Sequence, residues 1–172
     1  KYVAIVTQQK LKNDSSQVPI YEVATQKLIK EFDRNTACET PVWNEEGTRL
    51  AFFASMDTNK VKQFELNVFD LISNKSWVFG DTLTRDFDTL KGVSENRTPI
   101  FTQDNRFLFF GVTDRVKAEV KDSLLESEKV KVDIWHYQDQ ELQAQQLVQL
   151  NQAKKRSDLY VFRFDNEKII PL

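Results

Sequence analysis

The sequence predicts an all-β fold of repeated four-stranded antiparallel units. This prediction depends on two repeated motifs and on the high aromatic content. Residues 41–55 and 99–113 carry the same pattern 58 positions apart: a proline, an apolar-aromatic pair, an acidic residue followed by Gly or Asn, and a Phe-containing run. Self-similarity of this kind indicates a repeat architecture. Thirteen Phe against one Met favour stacked sheets over a helical bundle, because aromatic side chains suit pleated surfaces.

The first motif predicts a tight hairpin. Glu46-Gly47 in one copy and Asp104-Asn105 in the other are typical of two-residue turns of the primed types, which need positive φ. Trp43 and Phe101 precede these turns, so we expect them at equivalent and largely buried positions. Residues 1–7 match residues 48–54, which indicates that the chain starts just after such a turn.

The second motif occurs three times and predicts a strand, a polar turn and another short strand. Its copies cover residues 20–32, 66–79 and 159–170. In each copy, apolar residues alternate with polar ones before a polar turn, and a short apolar run follows, which is the pattern of a hairpin. The first and second motifs together make a unit of four short antiparallel strands.

Repeated four-stranded units of about 40 to 50 residues are typical of β-propeller blades. We therefore predict a partial β-propeller of about 2.75 four-stranded antiparallel blades, with one long insertion. The predicted boundaries, all within a single propeller segment 1–172, are a partial blade 1 at 1–36, blade 2 at 37–93 and blade 3 at 94–172, with the insertion at 114–156. Blade 1 lacks its opening strand.

The insertion has three parts of different composition. Residues 114–131 are rich in charge and predict a solvated helix or a mobile loop, and we expect residues 114–130 to be the least ordered part of the chain. Residues 130–137 alternate like a strand, in which Trp135 is either a buried anchor or a recognition residue. Residues 138–156 fit a helix and an extended hairpin equally well.

Composition bears on the partners of this chain. The net charge is −2 and the pI is about 5.6, so we expect no nucleic-acid partner, since such a surface needs concentrated basic residues. The basic run Lys154-Lys155-Arg156 is interpreted as a solvated loop. No stretch approaches the roughly 20 apolar residues of a membrane-spanning helix.

Two residues are candidates for catalytic chemistry. Ser94 lies in Gly92-Val93-Ser94-Glu95-Asn96, which lacks the second Gly of the G-x-S-x-G nucleophile motif, so we interpret Ser94 as a turn residue. His136 is the only histidine, and its place in an alternating strand favours a structural role over that of a general base.

Candidate ligands for metals are equally sparse. Cys38 is the only cysteine, so we expect it to be a small apolar residue near the start of a strand rather than part of a zinc set. Asp57 begins a stretch resembling a calcium loop for three residues only. The acidic pairs Glu45/Glu46 and Glu126/Glu128 fit solvated turns. We therefore assign no catalytic, cofactor-binding or metal-binding residue, expect no cofactor, and leave the substrate-binding residues unknown.

The motifs resemble those of a known group of proteins. The shared P-x-[WF]-x-x-[DE]-[GN]-x-x-L-x-F pattern resembles the propeller repeat of TolB-like proteins and of prolyl oligopeptidase and dipeptidyl peptidase type serine peptidases. Residues 132–139 (VDIWHYQD), 142–146 (LQAQQ) and 155–160 (KRSDLY) are similar to the V-D-I-W-x-W-x-D, L-Q-x-x-Q and R-S-x-L segments of exported Bacteroidetes-type members. Tyr137 stands where a second Trp is expected.

This resemblance implies a function for the protein of which the chain is a part. It implies a periplasmic or otherwise exported serine peptidase, whose α/β-hydrolase domain lies beyond Leu172 and carries the Ser, Asp and His of the triad. The propeller would gate or recognise short peptide substrates and would itself be non-catalytic. The alternative is a TolB-like propeller that only binds a protein partner. Because the terminal blades would expose apolar faces, we also expect the isolated chain to form a homodimer or a larger assembly.

Overall fold

The computed structural model describes residues 1–9, 15–35, 37–58, 62–80, 90–115, 138 and 141–172. The chain divides into two compact units. Unit 1 comprises Lys1–Val116 and Ser157–Leu172, and unit 2 comprises Lys117–Arg156. Unit 1 contains all the described strands, and they form three antiparallel sheets.

Sheet 1 has its longest strand paired on both sides. Its strands are β1 (Tyr2–Ala4), β2 (Thr7–Gln9), β3 (Ser15–Glu22) and β4 (Leu28–Asn35). β1 and β2 both pair with the same side of β3 and act as one interrupted strand, while β4 pairs with the other side. Sheet 1 is therefore three strand positions wide in the described part of the chain.

Sheets 2 and 3 are each four strand positions wide. Sheet 2 has the order β5 (Ala37–Trp43), β6 (Arg49–Ser55), β7 (Glu65–Asp70) and β8 (Lys75–Phe79). Sheet 3 contains β9 (Lys91–Val93), β10 (Ile100–Phe101), β11 (Phe107–Asp114), β12 (Asp158–Arg163) and β13 (Lys168–Pro171). β9 and β10 pair with one side of β11 and form its interrupted first strand.

Strand register confirms that the repeated motifs are structurally equivalent. Trp43 pairs with Leu50 in sheet 2, and Phe101 pairs with Leu108 in sheet 3. The predicted match of the N-terminus also holds, because β1 and β3 pair in the same register as β6 and β7. The described strands of sheet 1 thus correspond to the second, third and fourth strands of the unit.

Strand pairing moves one blade boundary relative to the sequence prediction. The sequence predicts Lys91–Val93 at the end of blade 2, but these residues pair with β11 and so belong to sheet 3. Phe64 bridges to Val93, which brings the start of sheet 3 beside sheet 2. The sequence of β9 shows no break from the residues before it, so only pairing reveals the boundary.

The prediction of two-residue hairpin turns was wrong. The Asn44 N–H donates to the Arg49 carbonyl, so four residues, 45–48, form the loop between β5 and β6. Only Gly47 in that loop has positive φ (+69°), whereas a type I′ turn needs two such residues. In sheet 3, Asn105 (φ +57°) occupies the place of Gly47. The longer loop is stabilised by the Asn44 side-chain oxygen, which accepts the N–H groups of Thr48, the last residue of the loop, and of Arg49, the first residue of β6.

Two apolar clusters hold the three sheets together. The first lies between sheets 1 and 2, and its buried members are Val18, Ile20, Cys38, Leu50, Phe52, Ala54 and Phe69. The second lies between sheets 2 and 3, and its buried members are Ala37, Ala51, Phe53, Phe64, Leu66, Val68, Phe79, Val93, Leu108, Phe110, Val112 and Phe162. Because side chains alternate along a strand, β6 supplies Leu50 and Phe52 to the first cluster and Ala51 and Phe53 to the second.

Trp43 and Phe101 are less buried than predicted. Both rings are half-buried and pack against the edges of the two clusters, Trp43 against the first and Phe101 against the second. Each is the last residue of a strand that leads into a surface turn, so one side of the ring remains in contact with solvent. Their equivalence is confirmed, but we expect truncation of either ring to cost less than truncation of the fully buried Phe110.

Unit 2 contains one described helix, α1 (Gln143–Ala153), which decides between the alternatives that the sequence left open for residues 138–156. The Leu142 N–H is capped by the Gln145 side-chain oxygen at 3.0 Å. Leu147 and Val148 on this helix are exposed.

In the described part of the chain, no helix is long and apolar enough to cross a membrane. The predictions for residues 116–137 lie outside the described residues.

Candidate functional site

The insertion leaves and rejoins unit 1 at one end of sheet 3. β11 ends at Asp114 and β12 begins at Asp158, and these strands are adjacent, with Val112 paired to Asp158. Five residues at this end make polar contacts with one another or with neighbouring backbone, and we call them the insertion end: Lys91, Arg97, Asp114, Arg115 and Asp158. Long insertions at strand ends are common places for recognition, because the sheet beneath holds them in position.

Lys91 joins the two ends of the insertion. Its ammonium lies 3.0 Å from a carboxylate oxygen of Asp114 and 3.2 Å from one of Asp158. These two hydrogen bonds, first that with Asp114, hold the pKa of Lys91 above its ordinary value. Lys91 therefore stays protonated at neutral pH and is unsuited to act as a general base. Its role in this arrangement is electrostatic.

Arg115 fixes the same end of sheet 3 to sheet 2. Its Nε donates to the Lys91 carbonyl oxygen at 2.9 Å, and its Nη2 donates to the Gly80 carbonyl oxygen at 2.7 Å. Gly80 follows β8 directly, has φ +94°, and would place a Cβ 2.8 Å from the Val93 side chain. A side chain at position 80 is thus excluded by both backbone conformation and space.

Arg97 and Ser157 close the far side of the insertion end. The Arg97 Nε donates to the Ser157 hydroxyl at 3.0 Å, across the backbone of Gly111. A Cβ at Gly111 would lie 2.7 Å from Arg97 and 2.8 Å from the Ser157 hydroxyl, so the contact depends on glycine. Ser157 is the first residue of unit 1 after the insertion.

Ser94 begins a turn, as predicted, since its carbonyl accepts the Arg97 N–H. Its hydroxyl is buried and has no hydrogen-bond partner in the described part of the chain. A nucleophilic serine requires a base within hydrogen-bonding reach. The structure places no imidazole or carboxylate there among the residues it describes, and His136 lies outside them.

The other residues singled out by the sequence do not converge on one place. Cys38 is buried near the start of β5, as predicted. The Asp57 carboxylate accepts the Gln63 N–H at 2.9 Å and so closes its own loop. Glu45 and Glu46 are exposed in the β5–β6 turn. Within the residues that the structure describes, no group of three His, Cys, Asp or Glu side chains could hold a metal ion.

The remaining candidates belong to the insertion. Lys154, Lys155 and Arg156 follow α1 and are exposed, in agreement with the solvated role that we predicted. Trp135, Glu126 and Glu128 lie outside the described residues.

A second polar group joins sheets 2 and 3 at the end opposite the insertion, and we call it the turn-end bridge: Asn44, Arg49, Asp70, Asn105 and Glu167. The Asn44 side-chain oxygen accepts the Thr48 and Arg49 N–H groups at 2.8 Å each, and its amide donates to the Asn105 side chain at 2.8 Å. Glu167, in the β12–β13 turn, forms an ion pair with Lys75 and accepts the Trp77 indole N–H at 3.3 Å.

Sequence reasoning missed the residues of both groups. Lys91, Asp114 and Asp158 are far apart in the chain, and their pairing depends on strand order that no motif reports. One signal was available for the turn-end bridge. The repeat aligns Arg49 with Phe107 of the second copy. A charged residue at a repeat position that is otherwise aromatic indicates that its side chain makes a specific polar contact.

Known proteins resemble this chain in structure rather than in sequence. No protein-family model matches the sequence, and no curated protein is significantly similar to it. The β-propeller domain of the trilobed protease from Pyrococcus furiosus, which has an open velcro topology, matches 98% of this chain with a TM-score of 0.55 and 12% identity. The chain has the fold of part of a β-propeller.

The predicted all-β partial propeller is therefore confirmed. The chain spans 38% of the length of the Pyrococcus furiosus propeller domain. The acylaminoacyl peptidase of Pyrococcus horikoshii is also similar, with a TM-score of 0.48 and 15% identity over 98% of this chain and 22% of that one. On the strand pairing and the match to the Pyrococcus furiosus domain, sheets 1, 2 and 3 are blades 1, 2 and 3 of this partial propeller.

Proposed function

We propose that this chain is the non-catalytic β-propeller segment of a prolyl oligopeptidase-like serine peptidase, and that it confines or recognises short peptides for a hydrolase domain outside the chain. The observation that carries the proposal is the match of all three blades to the propeller domain of a protease. The repeat motifs, which resemble those of the same group of peptidases, support it independently.

The polar groups at the two ends of the blades support a confining role. A propeller that limits access to an enclosed site must keep neighbouring blades together. Arg115 joins blades 2 and 3 at the insertion end, and Asn44 and Arg49 join them at the opposite end. Contacts at both ends oppose the opening of the gap between these blades, because separating them would break hydrogen bonds at either end.

The insertion end is the part of unit 1 that we propose for contact with the hydrolase domain or the peptide. Asp114 and Asp158 are 84% and 65% exposed, yet both are held by Lys91. Exposed carboxylates fixed by a neighbour lose little side-chain freedom on binding, so they are suited to recognise a peptide amino group or a basic residue. We place the protein in the periplasm or another exported location by resemblance alone.

We propose further that the isolated chain self-associates through the apolar outer faces of blades 1 and 3. On the far side of blade 3, apolar residues form one row across four strands: Ile100, Phe109, Val161 and Ile170. The corresponding row of blade 2 is Val42, Ala51, Val68 and Trp77, most of which packs against blade 3. Val3 and Ile5 form an exposed apolar patch on the far side of blade 1.

Two experiments test the proposed function. The first is to read the coding sequence beyond Leu172, and the second is to assay the full-length protein and the 172-residue chain for peptide cleavage. We expect the coding sequence beyond Leu172 to contain G-x-S-x-G followed by an Asp and a His, and the full-length protein to cleave short peptides. The 172-residue chain alone should not cleave them. Absence of the motif would refute the peptidase and leave a propeller that only binds. Activity of the 172-residue chain that is lost in His136→Ala would refute the non-catalytic role.

A further inference from the structure

Three parts of the chain meet at the insertion end: the end of blade 2, the first strand of blade 3 and the residue from which the insertion leaves. Gly80 follows β8, Lys91 begins β9, and Arg115 follows β11. Arg115 Nη2 donates to the Gly80 carbonyl oxygen at 2.7 Å, and its Nε donates to the Lys91 carbonyl oxygen at 2.9 Å. One guanidinium therefore joins the two blades beside the start of the insertion.

Arg115 holds the start of β9 from both sides. Its backbone N–H donates to the Leu90 carbonyl, and the Ser94 N–H donates to the Gly111 carbonyl. Even-numbered residues of this segment therefore direct their backbone groups at β11, and odd-numbered residues direct theirs away from it. The Lys91 carbonyl that accepts the Arg115 Nε lies on this second side. The backbone of Arg115 thus bonds to one side of the strand and its side chain to the other.

The second side of β9 faces blade 2. Val93 lies on it and forms an isolated β-bridge with Phe64, which precedes β7. Val93 is also close to Gly80, since a Cβ at position 80 would lie 2.8 Å from the Val93 side chain. Val93 is buried in the apolar cluster between blades 2 and 3, and we call this contact between the blades the seam. A displacement of β9 would change the packing of the seam, because a close-packed interior has no room to absorb it.

The side chain of Lys91 connects β9 to both ends of the insertion. Its ammonium lies 3.0 Å from a carboxylate oxygen of Asp114 and 3.2 Å from one of Asp158. Asp114 pairs with Lys91 in register, whereas Asp158 lies one strand further away on β12, so the Lys91 side chain reaches across β11. Lys91 therefore forms the ion pairs with its side chain and accepts the Arg115 bond with its carbonyl. The spacing of the two ends of the insertion and the position of β9 depend on the same residue.

We propose that Lys91 and Arg115 relay a change in the spacing of the two ends of the insertion to the seam between blades 2 and 3. A partner that draws Asp114 and Asp158 together around Lys91 would fix β9 and tighten the seam, and a partner that separates them would loosen it. Two sites are coupled in this way when both bias one shared element. For its biological role the relay rests on the proposed function, in which the seam helps to confine peptides.

Amide hydrogen exchange in the 172-residue chain, followed by NMR, tests the relay at the Val93 N–H, which lies on the side of β9 that faces blade 2. Asp158→Ala removes one carboxylate from Lys91, and we expect the exchange rate of Val93 to rise about threefold. The matched control is Asp165→Ala, which removes a carboxylate from the ion pair with Arg163 at the opposite end of β12. It should leave the Val93 rate unchanged. Amides of β6, which is paired on both sides, report any change in global stability.

Arg115→Met separates a relay from a purely local effect. It removes the side-chain bonds to Lys91 and Gly80, so the Val93 rate should rise about tenfold. Adding Asp158→Ala should then raise the rate no further. If Arg115→Met does not fold, Arg115→Lys replaces it, because a single ammonium cannot reproduce both bonds of the guanidinium. Arg115→Lys should give an intermediate rate and a smaller response to Asp158→Ala.

Three results would overturn the relay. They are a Val93 rate that Asp158→Ala leaves unchanged, an equal response to Asp165→Ala, and the same increment from Asp158→Ala with and without the Arg115 side chain. These measurements involve no peptide cleavage and no hydrolase domain. Failure of the proposed peptidase function would therefore leave the relay standing, and failure of the relay would leave the peptidase function standing.

Discussion

Arg49 Nη1 donates to the carbonyl oxygen of Asn105 at 2.6 Å and thereby joins the first hairpin of blade 2 to the corresponding turn of blade 3. The same guanidinium donates from Nε to Asp70 at 2.9 Å and lies 4.2 Å from the centre of the Phe164 ring. Arg49 thus connects the end of β7 in its own blade to two turns of the next blade.

We predict that Arg49→Met lowers the free energy of unfolding by about 2–3 kcal/mol. The methionine retains apolar contact with Phe164 but loses both hydrogen bonds, and it leaves the buried Asp70 carboxylate without its cation. Chemical denaturation followed by circular dichroism measures the change. The control is Arg106→Met in the turn of blade 3, whose side chain is exposed and should change stability by less than about 0.5 kcal/mol.

The double variant Arg49→Met/Asp70→Asn separates the ion pair from the bond to Asn105. If the ion pair dominates, the double variant recovers part of the loss, because no unpaired buried charge remains. Strictly additive losses for the two substitutions would contradict coupling between Arg49 and Asp70.

The stability of the chain should depend on the ionisation of Asp70. Burial opposes ionisation, but hydrogen bonds from Arg49 and from the Ser73 and Ile72 N–H groups outweigh it, so the pKa of Asp70 lies below its ordinary value. A carboxyl whose pKa is depressed on folding stabilises the native state above the unfolded pKa, about 3.9, and this contribution is lost as the pH falls through the folded pKa. Stability should therefore decline as the pH falls below about 4.

Asp70→Asn tests this assignment. The amide removes the ionising group, so the variant should be less stable than the wild type at neutral pH but should lose less stability on acidification. Unfolding at several pH values between neutral and strongly acidic gives the comparison. An acid slope that is identical in both proteins would show that other carboxyl groups cause the decline.

Gly47 should be required for its backbone conformation alone. It has φ +69°, and a Cβ at this position would meet no atom within 4 Å. Gly47→Ala should therefore cost about 1 kcal/mol through the left-handed conformation. Gly47→Asn should cost less, since Asn105 adopts the same conformation at the equivalent turn of blade 3. Equal losses for Ala and Asn would mean that the turn changes shape in the variants.

The chain as isolated should associate through the apolar row of blade 3. Ile100 and Ile170 lie at the two ends of this row and are 61% and 38% exposed. Light scattering during size-exclusion chromatography should give a mass above 20.2 kDa that falls on dilution. Ile170→Lys should shift the chain toward monomer, whereas Ile72→Lys in a turn should not. A monomer at every concentration would contradict the proposal.

Strand content could be predicted from the sequence because repetition and alternation are local properties. The strand pairs predicted at residues 66–79 and 159–170 occur as β7 with β8 and as β12 with β13. Turn geometry was predicted less well. The dipeptide Glu46-Gly47 suggested a two-residue turn, but the Asn44 side chain accepts two backbone N–H groups and stabilises a longer loop.

The contacts between blades could not be predicted from the sequence. The Asn44 and Asn105 side chains meet across 61 residues of chain, and the Arg49 guanidinium meets the Asn105 carbonyl across 56. Such pairs depend on how two sheets face each other, and a single sequence carries no record of that. The interruption of the first strand of blade 3 was also unforeseen, because the extra residues between β9 and β10 do not disturb the repeat that begins at Pro99.

The most direct test of the proposed function compares two substrates in the full-length protein: a short chromogenic peptide and casein, a long unstructured polypeptide. The wild type should cleave the short peptide and spare casein. Arg49→Met loosens the join between blades 2 and 3, so it should raise casein cleavage relative to that of the short peptide, and Arg106→Met should not. Efficient cleavage of casein by the wild type, or the same ratio in all three proteins, would contradict confinement of substrates by this propeller.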